Sequence, residues 1–205
     1  MTRNEDLSVL SKALKRRGFA DTFLVDRKEL FHMLERLART VTTVGFGGSI
    51  TTRELRLPGL FEQMGLRVLD HWQSPVEDRD NVRKAQLTAD LFITAVNAVT
   101  SDGILVNADG VGNRVAATIY GPGHVIWIIT PNKIAPDLDG AIRRIQEIAT
   151  PQNADRLHIQ TPCSRTGKCN NCLSESRLDK VFALFHYKPT GTPHTVFLLN
   201  ESLGY

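Results

Sequence analysis

One run, Val125 to Ile129, is apolar at every position, and it restricts the fold more than any other stretch of the chain. Successive side chains of a strand point to opposite faces, so a strand that is apolar throughout must be covered on both. Sheets built from such strands are parallel and carry helices on each side. The rest of the chain supplies those parts in turn. Val41–Phe46, Arg67–Asp70, Asp90–Val96, Val181–Phe185 and Val196–Leu199 are short β-branched or apolar runs and read as strands. Between them the apolar spacing is helical: Leu7, Leu10 and Leu14, followed by Phe19; then Phe31, Leu34, Leu37 and Ala38, up to Thr40. A helix capped by Thr51 or Thr52 runs to Gln63 and ends at Gly65, and Glu77–Gln86 reads as a polar helix. Gly112-Asn113-Arg114 opens a short helix, and Ile134, Leu138, Ile142, Ile145 and Ile148 mark another. Ser101-Asp102-Gly103 before Ile104–Val106 is a hairpin signal.

The alternation predicts an α/β fold, a mainly parallel sheet covered by helices on both faces with an inserted hairpin. With 205 residues and no linker, the expected organisation is one domain over residues 1–205. It has an N-terminal helical segment at 1–40 and a cysteine-containing insertion at 157–180.

Charge narrows the partners. The net charge is +3, with both signs interleaved and no basic stripe, which argues against nucleic acid and suits a small anionic ligand. The N-terminal stretch is charged and lacks a signal-like apolar core, and the longest apolar run is far short of a bilayer span. A cytoplasmic protein without membrane insertion is expected.

Ligands of open α/β sheets sit beyond the carboxyl ends of the strands, so the loops there carry the candidate chemistry. In Gly45–Glu54, the glycines Gly47 and Gly48 let backbone approach an anion, Ser49 and Thr51 offer hydroxyls, and Glu54 is a candidate base. Asn97 follows a buried strand with a polar amide, and Asp102 lies in the turn beyond it. Asn113 and Arg114 open a helix, where a cation opposes the helix dipole unless an anion shares the site. Lys133 follows the central strand. Each has a structural alternative: a strand-to-helix turn for the glycine loop, turn chemistry for Asp102, a surface ion pair for Arg114, and a solvated charge for Lys133.

Six segments together resemble the lactate-utilization (LUD) domain family. They are Val44–Thr51, Ala89-Asp90 through Asn97–Thr100 to Gly103, Gly112–Ala116, Gly121-Pro122, Asn132–Ile134 and Asn200–Tyr205, in order from about Leu30 onward. The resemblance implies a fold similar to the phosphosugar isomerase and CoA-transferase superfamily. It also implies a role around L-lactate oxidation beside iron–sulfur partner subunits. Cys163, Cys169 and Cys172 resemble a cysteine-rich insertion of one subgroup, which has a fourth cysteine where this chain has Leu178-Asp179. Three soft ligands suit zinc or an iron–sulfur group if a fourth is found among His158, His186, His194 and Asp179, and three plain thiols remain the alternative. Three functions stay open: an anion-binding subunit for organic-acid oxidation, a stand-alone isomerase or acyl/CoA-transferase-like enzyme using Glu54, Asp102 or Glu201, and a metal-dependent interaction module.

Overall fold

The computed structural model describes residues 3–205. In chain order the elements are α1 (Arg3–Arg16), β1 (Asp21–Val25), α2 (Arg27–Ala38), β2 (Thr43–Phe46), α3 (Ile50–Glu54), α4 (Leu57–Gln63), β3 (Arg67–Leu69), α5 (Arg79–Gln86), β4 (Leu91–Ala95), β5 (Ala98–Thr100), β6 (Leu105–Asp109), α6 (Asn113–Ile119), β7 (His124–Ile129), β8 (Ile134–Ala135), α7 (Leu138–Arg144), α8 (Thr150–Arg156), α9 (Pro162–Thr166), β9 (Val181–Phe185) and β10 (His194–Leu199). Among the described residues no helix is long and apolar enough to cross a membrane.

The main sheet has the order β1-β10-β7-β4-β2-β3, and every pairing in it is parallel. Its centre is β7, and the two faces of that strand belong to different cores. Val125, Trp127 and Ile129 pack with Leu7, Leu10 and Leu14 of α1 and with Val99, Leu105 and Phe185. Ile126 and Ile128 pack with Leu30 and Leu34 of α2 and with Leu57 and Phe61 of α4. Each such side chain, once fully buried, contributes roughly 1.5–3 kcal/mol of transfer free energy. The α/β architecture and the mainly parallel sheet are therefore as the sequence predicts.

Four details differ. The hairpin of β5 and β6 does not enter the main sheet but joins β8 and β9 in a separate mixed sheet, β8-β5-β6-β9. The N-terminal segment is not purely helical, because β1 lies within it and forms an edge of the main sheet beside β10. It shows little alternation: Phe23 and Leu24 are 38% and 44% exposed, so its order comes from pairing with a distant strand. The helix expected from Thr51 to Gln63 is two helices, broken at Arg56, whose φ of 54° is left-handed. Its N-cap position is Ser49, which makes no side-chain cap bond, and Thr51 and Thr52 are buried inside α3. Ile134 pairs with Val99 in β8 and does not start the following helix.

The start of β4 is tied to the start of β2 by one carboxylate. An Asp90 oxygen accepts from the backbone N–H and the hydroxyl of both Thr42 and Thr43, each at 2.9 Å. Those donors, the Thr42 N–H foremost, hold the Asp90 carboxyl down at about 2. A depressed carboxylate stabilises the fold above its unfolded value near ~4 and loses that contribution as pH falls through the folded value. Asp90→Ala is expected to lower unfolding free energy at pH 7 by about 1–2 kcal/mol, modest because the group is partly solvated. In urea melts the gap between variant and wild type should narrow from pH 4 to pH 2; a gap that stays constant would contradict the charged-acceptor account.

Candidate functional site

Because β2, β3, β4 and β7 run parallel, the loops that leave their carboxyl ends emerge on one side of the sheet. There they enclose a cleft of about 60 Å³ whose walls include Gly48, Ser49, Thr51, Asn97, Arg114 and Lys133. Trp72, Thr150, Asn153 and Tyr205 also line it, and no Asp or Glu is among its lining residues.

Two glycines permit this convergence. A Cβ on Gly47 would lie 2.7 Å from the Phe92 ring and 2.9 Å from Cγ of Arg114, so only glycine lets that loop meet α6. Gly48 has φ +73°, and a Cβ there would press on the Trp72 indole at 3.1 Å.

Lys133 is only 2% exposed. Its ammonium donates to Oγ1 of Thr51 at 2.7 Å, which is the one acceptor it has among the described residues for three donors. Burial, then the charges of Arg144 and Arg114, push its pKa down to about 7. The solvated-charge reading of Lys133 is therefore corrected. Arg144, itself buried, donates to the carbonyls of Asn132 and Asn97 and so fixes the loops after β7 and β4.

Arg114 donates to Oδ1 of Asn97 at 2.7 Å and to the Ala108 carbonyl. The anion that balances it at the start of α6 belongs to the chain: Asp109 accepts from the N–H groups of Arg114 at 3.0 Å and Val115 at 3.2 Å. Burial lowers the pKa of Arg114, and Asp109 opposes that shift. The Asn97 oxygen also takes the Ala108 N–H at 3.0 Å, so this amide positions Arg114. Asn113 turns away from the cleft and donates to Oε1 of Gln86 at 3.4 Å.

The candidate carboxylates do not converge. Glu54 sits at the rim, exposed, and accepts from the Gly204 N–H at 2.9 Å. Asp102 stays in the hairpin turn, ion-paired with Arg17 and bonded by Thr100, which is turn chemistry. Glu201 pairs with Arg27 at a different surface depression. The cysteines Cys163, Cys169 and Cys172 share the wall of a small cavity of about 10 Å³ with Asp179. The Arg177 guanidinium pairs with Asp179 and donates to the Cys172 carbonyl, so Asp179 is already partnered by a cation. None of the three histidines considered lines that cavity. Among the described residues no group of three or more His, Cys, Asp or Glu is arranged to hold a metal ion.

Sequence reasoning missed Trp72, Asn153, Arg156 and Tyr205. Trp72 lies in the loop that leaves β3, and the strand-end rule applied to that loop would have found it. Tyr205 donates to Asn153 at 2.8 Å and accepts from Arg156 at 2.7 Å; no local pattern foretells that.

A model of the LUD domain matches residues 7–184. No curated protein matches the chain. Among solved structures, a DUF162 family protein from Deinococcus radiodurans is similar, with a TM-score of 0.55 at 14% identity, covering 97% of this chain and 99% of the other. At that identity the likeness speaks to the fold alone.

The depressed Lys133 has a consequence for stability. Between about 7 and its unfolded value near ~10.4, the unfolded chain holds the proton that the folded chain has lost. This residue's contribution therefore makes the protein more stable as pH rises through that window and less stable as it falls. Relative to Lys133→Met, wild-type unfolding free energy should climb by a few kcal/mol, on the order of one proton's linkage, from pH 7 to pH 10. Parallel pH dependences in the two proteins would show that the amine is not desolvated.

Proposed function

This chain belongs to the LUD domain family, which its name links to lactate utilization, and we propose that its cleft binds a small organic acid through the carboxylate. The observation that carries this reading is Lys133, a buried ammonium with one neutral acceptor, in a cleft with no Asp or Glu among its lining residues. Keeping a charge so poorly partnered is costly, which is why its pKa falls, and an anion in the cleft would hold the proton in place. Arg114 adds a second cation to the lining, held in place by Asn97 and Ala108. Ser49 supplies a hydroxyl suited to a carboxylate or to a neighbouring hydroxyl, whereas the Thr51 hydroxyl accepts from Lys133 and donates to the Leu203 carbonyl at 3.4 Å. A cleft of about 60 Å³ suits an acid of a few carbons better than a long chain. With Glu54 turned to the rim, the arrangement favours binding and orientation over proton abstraction by a carboxylate.

Calorimetry against L-lactate, pyruvate, glycolate and acetate tests the reading. Wild type should bind at least one of them saturably, and Lys133→Met should weaken that binding by about tenfold or more. An anion beside Lys133 raises its pKa, so above pH 7 binding draws in a proton. Affinity should then fall as pH rises, approaching about tenfold per unit, and the enthalpy should vary with buffer ionisation. Failure of all four acids to bind wild type, or unchanged affinity in Lys133→Met, would remove the basis of the proposal.

A further inference from the structure

Past Gly48 and Trp72 the cleft opens into a groove of about 200 Å³ lined by His71, Arg79, Arg83, Asp109, Arg114 and Arg156, among others. We propose that this groove binds the phosphate group of a small phosphorylated molecule. It adjoins the carboxylate site through Arg114, but its remaining cations are its own, so the two sites can be tested apart.

Four guanidiniums converge here from three helices: Arg79 and Arg83 one turn apart on α5, Arg114 on α6 and Arg156 on α8. All four are only partly exposed. Elsewhere Arg17, Arg27, Arg53 and Arg177 each have a carboxylate partner, whereas none of these four makes an ion pair among the described residues. The single acid lining the groove is already committed: Asp109 accepts from the N–H groups of Val111, Arg114 and Val115. Nε of Arg83 is buried without an acceptor among the described residues. A donor of that kind marks where an acceptor belongs. The same positive field falls on His71, which burial first, and then Arg83 among its neighbours, hold near 4, so that the ring is neutral and adds no charge.

The number of donors selects the anion. Several guanidiniums present more N–H groups than the two oxygens of one carboxylate accept, whereas a phosphate monoester brings three oxygens and close to two charges. A nucleobase is disfavoured. Trp72, the aromatic side chain at the junction, already carries Arg53 at 5.2 Å and Arg156 at 4.3 Å over its ring. A long polymer is disfavoured as well, because the groove runs into the small cleft rather than across an extended basic face.

The test is calorimetry of the full chain at low ionic strength with inorganic phosphate, for wild type, Arg83→Gln, Arg79→Gln and Lys133→Met, each first checked by its melting transition. Wild type should bind one phosphate saturably. Arg83→Gln and Arg79→Gln should each weaken it by about tenfold or more, and Lys133→Met by less than about twofold. L-Lactate, where it binds, should show the reverse pattern. Phosphate binding that fits this pattern without any lactate binding would keep the groove and dismiss the carboxylate reading. Absence of saturable phosphate binding to wild type would overturn the groove, as would a phosphate affinity in both arginine variants unchanged from wild type. Loss of phosphate in Lys133→Met alone would overturn it too, by placing the anion in the small cleft. A phosphoserine peptide that binds far more tightly than phosphate would overturn the small-molecule assignment.

Discussion

The whole arrangement depends on β7 being apolar on both faces. A strand with Trp127 on one side and Ile126 and Ile128 on the other cannot lie at a wet surface, so it is flanked by β4 and β10 and roofed on both sides. Parallel pairing follows from the helical crossovers that provide those roofs. Parallel pairing in turn sends every strand-end loop of the sheet to one edge. The cleft is thus a consequence of how the core is buried, and the second sheet, packed through Val99, Leu105 and Phe185, closes the face that α1 leaves open.

At that edge the chain accumulates cations and keeps acids away from the cleft. Arg144 lies behind Lys133, bonded to the loops after β4 and β7, and its charge makes the ammonium harder to keep. Arg114 is anchored by Asn97 and Ala108, and its own helix start is satisfied by Asp109. None of this serves the free fold well: desolvated like charges are a liability that more apolar residues would avoid. The C-terminal segment takes part, since Leu203 and Gly204 carbonyls accept from Asn132 and the Gly204 N–H meets Glu54.

The legible part of the site was its location. Gly47, Gly48, Ser49, Thr51, Asn97, Arg114 and Lys133 all come to the strand-end edge. Gly47 is a case where a single residue type reveals a contact: only a glycine lets Phe92 and Arg114 approach. The roles were less legible. Asn97 works on Arg114, and Asn113 works on Gln86. Asp102 and Glu201 were candidates beside Glu54 in sequence, yet they are spent on Arg17 and Arg27 and do not line the cleft. Which carboxylate faces a cavity is decided by side-chain partners that are distant along the chain, and spacing carries no record of them.

By itself, then, the sequence determined the fold class, the central strands and the edge where loops gather, because hydrophobic period and glycine placement act over a few residues. Tertiary structure alone decided that β1 joins the sheet, since a half-exposed edge strand has no pattern strong enough to announce it. It alone decided that Lys133 is buried against Thr51, and that Arg79, Arg83, Arg114 and Arg156 share one groove. Charge becomes informative only when desolvated, and desolvation is a property of how distant segments pack, not of the residues taken in order.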